Sequence, residues 1–289
     1  MCSLGLAAKS RGLNLEMKRV VRIGCLMLVV LYLGAIVYVA LAQDRFLYQP
    51  RRESEAELLK LAASRGLHPL RTATGEVCAW QLPNPSASRR LVVFHGGSGC
   101  ALDRMFYANA FDRLGWEVSL FEYPGFGARP GRPGKSSFLA AAESFVGAQL
   151  AGDKRPLYLL GESMGSGTAC AISGLRKDDG RRIAGLSLVV PYARMAEVAG
   201  KRLPFLPINL LLRDKYDNIA SLESFRGPLT VVIADHDEVV GPEQGRKVYE
   251  HYSGPKHLII LQNHGHADFP TEPMADWWRE VSDSLVSGS

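Results

Sequence analysis

Leu157-Tyr158-Leu159-Leu160-Gly161-Glu162-Ser163-Met164-Gly165-Ser166-Gly167-Thr168-Ala169-Cys170-Ala171-Ile172 is the stretch that decides the fold. Its centre, Gly161 to Gly165, reads G-x-S-x-G. The apolar run Leu157 to Leu160 has strand length, and Ser166 to Ile172 is small and helix-compatible. A strand, a sharp turn carrying a serine and then a helix is the context in which this pattern forms a nucleophile elbow. The glycines permit a tight turn and close strand–helix approach. The helix N-terminus behind the serine supplies free N–H groups and positive potential. With 29 glycines in the chain, the pattern alone can arise by chance. Partners in the right order are what give it meaning.

Working outward, apolar runs alternate with helical stretches. Leu91 to Phe94 is a strand ending at His95-Gly96-Gly97-Ser98-Gly99. Val118 to Phe121 is another, ending at Tyr123-Pro124-Gly125-Phe126-Gly127. Further strands are expected at 186–190, 230–234 and 257–261, with helices over 136–150, 243–252 and 274–285. Unbroken Val/Ile/Leu runs indicate strands buried on both faces. Their alternation with helices predicts an α/β class protein, a mostly parallel central sheet flanked by helices. Upstream, 53–65 reads as an amphipathic helix with Leu58, Leu59, Leu61 and Ala62 on its apolar side. Residues 70–72 and 77–82 read as an antiparallel hairpin.

A serine nucleophile needs a base to take its proton and an acid to orient that base. Behind an elbow the chain order is serine, acid, histidine. Asp235-His236-Asp237-Glu238-Val239-Val240 follows the penultimate strand, and Asn263-His264-Gly265-His266-Ala267-Asp268 follows the last. Catalytic groups of open α/β sheets collect at such strand ends. The acids also fit a plain role capping the helix that begins near Gly241, and the histidines fit solvated loops. For the oxyanion, the backbone N–H of Met164 is the first candidate donor. Gly97, in the glycine turn after an earlier strand, is the second.

Ile23 to Ala42 is a run of twenty residues without a charge, long enough to cross a hydrocarbon core of roughly 30 Å. Lys9, Arg11, Lys18, Arg19 and Arg22 precede it against Glu16. This excess places residues 1–22 in the cytoplasm and the remainder, 43–289, across the membrane, in a periplasmic or lumenal space. Met17-Lys18-Arg19 reads as a natural start. Ala40-Leu41-Ala42 resembles a signal cleavage site, but the apolar run exceeds the usual h-region of about 7–15 residues, so a retained anchor is the expectation. Tyr48 and Phe46 suit the membrane interface.

The net charge of +5 is modest and no run of five basic residues occurs, which speaks against nucleic acid. No phosphate loop or dinucleotide fingerprint is present, so no cofactor is expected. Five cysteines include no C-x-x-C, so no metal is expected either. Cys78, Cys100 and Cys170 are expected to be buried free thiols, with Cys78–Cys100 the alternative disulfide in an oxidising compartment.

The elbow, His95-Gly96-Gly97, Tyr123-Pro124-Gly125-Phe126-Gly127, Asp237-Glu238-Val239-Val240 and Gly265-His266-Ala267-Asp268 together resemble the α/β-hydrolase superfamily. The nearest likeness is to its membrane-anchored, small-cap branch of serine hydrolases, which includes esterases, lipases and serine aminopeptidases. The resemblance spans Gln43 to the C-terminus, and Lys215-Tyr216-Asp217-Asn218-Ile219 also fits. It implies an α/β-hydrolase fold with catalytic Ser163, Asp237 rather than Asp235, and His266 rather than His264. The branch typically carries H-G-N-A-G at the oxyanion turn, D-Y-R-G-Y-G at the next turn and D-x-V-V-P at the acid. Here Gly97 replaces Asn, Pro124 replaces Arg, and Gly241 intrudes before Pro242.

By the same resemblance, residues 191–228 hold a short cap, and their apolar content (Met195, Leu203, Phe205, Ile208, Leu210) favours an acyl group over a sugar or nucleotide. The expected activity is hydrolysis of carboxylic esters or thioesters of an acyl or lipid-like small molecule through an acyl-enzyme at Ser163. A peptidase or amidase of the same fold, and a silent membrane-anchored binding protein, are the alternatives. Oligomeric state is left open.

Overall fold

The structure is a computed structural model that describes residues 3–176 and 180–287, with side chains from Met17 onward. Cys2 and the side chains of Lys9, Arg11 and Glu16, read above as part of a cytoplasmic segment, lie outside the described residues. The chain begins with α1 (Ser3–Leu47), followed by β1 (Gln49–Pro50), α2 (Glu55–Ala63), β2 (His68–Arg71), β3 (Val77–Leu82), β4 (Arg89–Phe94) and β5 (Ser98–Gly99). Then come α3 (Met105–Asp112), β6 (Trp116–Phe121), α4 (Lys135–Gly152), β7 (Leu157–Glu162), α5 (Met164–Ile172) and β8 (Ile183–Val189). The segment expected to form a cap holds α6 (Met195–Arg202), α7 (Ile208–Leu211) and α8 (Asn218–Ser221). The chain closes with β9 (Leu229–Ala234), α9 (Pro242–His251), β10 (Lys256–Leu261) and α10 (Asp276–Ser287).

Among the described residues, eight strands form one sheet in the order β10-β9-β8-β7-β4-β6-β3-β2. All neighbours are parallel except β2–β3 and β3–β6. The unbroken apolar runs have a direct cause. In β4, Leu91 and Val93 enter one core while Val92 and Phe94 enter the other, and β9 alternates likewise. One core holds Phe138 and Val146 of α4, Ala169 of α5 and Val248 of α9. The other holds Leu58 of α2, Phe111 of α3 and Trp278 of α10. Each fully buried Val, Leu, Ile or Phe contributes about 1.5–3 kcal/mol relative to exposure.

The chain reverses direction across the sheet between β4 and β7, which are adjacent. A crevice opens at the carboxyl ends of strands at such a switch point. Three non-glycine residues have positive φ among the described residues: Ser163, Val190 and Asn263. They follow the ends of β7, β8 and β10, so backbone strain gathers along this one edge.

Some local readings change. The helix expected over 53–65 is α2, started at Ser54 by a capping box with Glu57. Its buried stripe is narrower than expected, with Leu58 and Ala62 inside and Leu61 36% exposed. Beyond the uncharged run ending at Ala42, α1 continues unbroken through Leu47. Tyr48 does not sit at an interface. It is buried, packs on Phe138 and donates to Asp214 Oδ2 at 2.5 Å. Cys78, Cys100 and Cys170 are buried free thiols.

Candidate active site

Ser163 stands at the junction of β7 and α5 with φ 49° and ψ −115°. Its N–H donates to Val189 O at 2.9 Å, and its carbonyl accepts from Ser166 N–H (3.0 Å) and Ser166 Oγ–H (2.6 Å). The turn is therefore pinned on both sides. The motif's glycines are steric necessities. A Cβ on Gly161 would lie 2.6 Å from Gly165 O and Ser166 Cα, and one on Gly165 would collide with Phe94 O. This packing drives α5 against the end of β4 and lifts the serine hydroxyl clear of the sheet.

Ser163 Oγ lies 2.8 Å from His266 Nε2, and His266 Nδ1 lies 2.8 Å from Asp237 Oδ2. The other Asp237 oxygen accepts from the N–H groups of Val239 (2.9 Å) and Val240 (2.8 Å). Burial pushes the Asp237 carboxyl upward, but the His266 hydrogen bond and those amides outweigh it and hold it below the ordinary range. An ionised Asp237 only accepts, so it places the imidazole proton on Nδ1. The Nε2 lone pair then faces the serine hydroxyl.

The rival residues occupy other places. Asp235 Oδ1 accepts from His264 N–H at 3.3 Å, and His236 N–H donates to His264 O at 2.9 Å. These two contacts knit the acid loop to the histidine loop. Asp268 accepts from Gly265 N–H and shapes the turn that presents His266. Glu238 lies near Gly265, and the carboxylate bonded to the imidazole is that of Asp237.

A cavity of about 700 Å³ opens over Ser163 and His266, and Gly97 and Met164 both border it. Gly97 is held there by β1, since Gln49 N–H donates to Gly97 O at 2.7 Å. A Cβ on Gly97 would lie 2.5 Å from Leu47 O. That contact accounts for glycine where the resembling branch carries asparagine: the end of α1 fills the space a side chain would need. Buried His95 braces the same turn, with Nδ1 2.8 Å from Gly96 O and Nε2 3.5 Å from Glu122 Oε1.

Sequence reading passed over Glu162, the variable residue of the elbow. It is buried, and Arg104 grips both its oxygens at 2.8–3.0 Å. A charged residue inside an otherwise apolar strand was the available signal, although its partner arrives from a distant segment. Burial pushes the Glu162 carboxyl up, and Arg104 more than offsets this, leaving it below its ordinary value of 4.5. The stabilisation is thus complete above that value and is lost as pH falls through the depressed folded one. Arg104→Met leaves the carboxylate buried and unpaired, at an expected cost of about 3–5 kcal/mol near pH 7. Without the arginine, burial raises the carboxyl pKa, so the deficit against wild type should narrow toward about pH 5. Urea melts at both pH values check this. A deficit that is small, or that widens on acidification, contradicts it.

Comparisons with known proteins agree on the fold. A family model described as alpha/beta hydrolase fold matches residues 89–207. The uncharacterized protein Rv2307c of Mycobacterium tuberculosis is 27% identical over 241 residues, covering 81% of this chain and 84% of that protein. Among solved structures, the Pyrococcus furiosus esterase PF2001 superposes with a TM-score of 0.63 at 15% identity, covering 83% of this chain and 97% of that one. A monoacylglycerol lipase of Paleococcus ferrophilus gives 0.55 at 18% identity, covering 73% and 98%.

Proposed function

We propose, from the premise that this chain belongs to the α/β-hydrolase superfamily, that it is a serine hydrolase cleaving carboxylic esters or thioesters of an acyl, lipid-like substrate. The observation that carries the reading is the unbroken relay from Asp237 through His266 to Ser163, each link 2.8 Å, at the floor of a largely apolar cavity. The two solved structures above are an esterase and a lipase, which agrees with it.

In this reading Ser163 Oγ attacks the substrate carbonyl carbon while its proton passes to His266 Nε2. The resulting tetrahedral oxyanion is met by the N–H groups of Met164 and Gly97. Each such donor contributes about 3 kcal/mol to the transition state. Collapse breaks the carbon–oxygen or carbon–sulfur bond, and His266 passes the proton to the leaving alkoxide or thiolate. Water, deprotonated by His266, then attacks the acyl-enzyme, releasing the carboxylic acid and restoring Ser163. Asp237 stays ionised and stabilises the imidazolium formed in each half.

The location follows from α1. Its segment Met17–Leu47 contains an 18-residue window with a mean hydropathy of 2.6 and is long and apolar enough to cross a membrane. In the proposed topology the basic N-terminus is cytoplasmic and the catalytic domain lies on the opposite side. The test is purified full-length protein in detergent, challenged with a fluorophosphonate probe and p-nitrophenyl butyrate. Covalent labelling and turnover are expected. A wild type that neither labels nor turns over the ester contradicts the reading.

A further inference from the structure

The anchor is not a tether hanging from the domain. From Ile36 onward α1 turns one stripe toward the domain, with Ile36, Val39, Ala40, Gln43 and Leu47 partly or fully covered at helical spacing. Gln43 is buried and bonds the cap in both directions, its Nε2 donating to Leu211 O at 3.2 Å and its Oε1 accepting from Arg213 N–H at 2.8 Å. Asp44 pairs with Arg213 at 2.6 Å. Further up the helix, Tyr32 Oη–H donates to Phe205 O at 3.0 Å. Tyr38, Val39, Phe46 and Leu47 consequently line the cavity that holds Ser163 and His266.

The second observation is the cap tip. Leu203-Pro204-Phe205-Leu206-Pro207-Ile208-Asn209-Leu210-Leu211-Leu212 carries no charge and lies between Arg202 and Arg213. Phe205 is 87% exposed and Leu210 is 83% exposed. The tip meets α1 at Tyr32, eleven residues before Gln43, or about 16 Å along the helix axis. Tyr32 lies inside the uncharged run Ile23 to Ala42. An apolar tip bonded to that part of a spanning helix is at acyl-chain depth, while the flanking arginines turn to protein partners, Arg202 to Val239 O and Arg213 to Asp44.

We propose that the cap tip is immersed in the bilayer beside the anchor, and that the cavity between them takes its substrate laterally from that leaflet. The substrate class is then a membrane-resident acyl lipid whose ester carbonyl reaches Ser163 without crossing water. The substrate half of this proposal rests on the serine-hydrolase reading. The insertion half rests on the proposed membrane span of α1 and on the Tyr32–Phe205 contact, not on the hydrolase reading.

The experiment uses the full chain in phosphatidylcholine nanodiscs. Phe205→Trp is compared with wild type, whose tryptophans lie in the folded domain, using lipids brominated along the acyl chains. Quenching of the added fluorescence by acyl bromines is expected. Quenching by aqueous iodide, with no response to bromine, overturns insertion. In the second arm, Phe205→Glu/Leu210→Glu is assayed on a pyrene-labelled monoacylglycerol in the nanodisc and on water-soluble p-nitrophenyl acetate. Turnover of the bilayer substrate should fall at least about tenfold, because carboxylates resist burial among acyl chains. Turnover of the soluble ester should hold within about twofold, since neither residue lines the cavity. Equal loss on both esters, or on neither, overturns lateral delivery. A wild type inactive on both esters instead sinks the hydrolase reading, and with it lateral delivery of an ester, while the bromine arm still decides insertion.

Discussion

Ser163→Ala is expected to lower ester turnover by roughly 10⁴- to 10⁶-fold and to abolish fluorophosphonate labelling, because no other group occupies the attacking position. The residual rate should still exceed water, since the cavity and the N–H groups of Gly97 and Met164 remain. The fold should be indifferent. Ser163 already carries a Cβ at φ 49°, so alanine adds no backbone strain, and the lost hydroxyl contacts His266 at a site only partly buried. A stability change below about 1 kcal/mol is expected by urea melt. Asp237→Asn should be milder, at about 10⁴-fold in kcat, because Asn can hold the imidazole in the wrong tautomer while Ser163 and the oxyanion donors stay in place. A Ser163→Ala protein that keeps more than about one hundredth of wild-type turnover removes the nucleophile assignment. So does one that still labels.

The sheet was legible because burial on both faces writes itself into consecutive residues. Leu91-Val92-Val93-Phe94 must satisfy two cores at once, and no surface strand or amphipathic helix needs such a run. The elbow was legible because its G-x-S-x-G pattern is local and Gly161 is demanded by Gly165 O and Ser166 Cα, a few residues away, whereas the demand on Gly165 comes from the distant backbone of Phe94 and His95. The proximity of Asp237, His266 and Ser163 was foreseeable only as chain order, since parallel strands bring their ends to one edge. What stayed hidden depends on partners distant in sequence. Nothing near Glu162 announces Arg104, fifty-eight positions upstream. The pairing of β1 with β5 involves two residues on each side and leaves no periodic trace. The role of α1 as a cavity wall was masked by the apolarity that marks it as an anchor. A helix apolar all round does not reveal which stripe meets protein and which meets lipid. Gln43 was a polar clue, and its meaning appears only when Leu211 and Arg213 stand beside it.

The other large effect falls on folding. Gly165→Val is expected to prevent the native fold from forming at ordinary temperature, whereas Ser163→Ala leaves it intact. The added Cβ would collide with Phe94 O, approach Phe94 C at 2.6 Å and reach His95 O at 2.7 Å. All three atoms are backbone at the end of the central strand β4, so no rotamer change relieves them. Relief requires α5 to retreat from the sheet, which opens the core around Ala169 and Cys170 and moves Ser163 off the His266 axis. Overpacking typically costs about 1–3 kcal/mol where side chains yield, and this site has none to yield. Losses above about 5 kcal/mol exceed much of a typical domain's total stability. Gly200→Ala supplies the control. It adds a Cβ within α6 where no atom lies within 4 Å, and should be neutral or stabilising by about 0.5–1 kcal/mol. Circular dichroism and thermal melts of the two variants side by side decide the matter. If Gly165→Val melts within a few degrees of Gly200→Ala, the close approach of α5 to β4 is not what sets the elbow, and the strain at Ser163 must be held by the hydrogen bonds to Val189 and Ser166 alone.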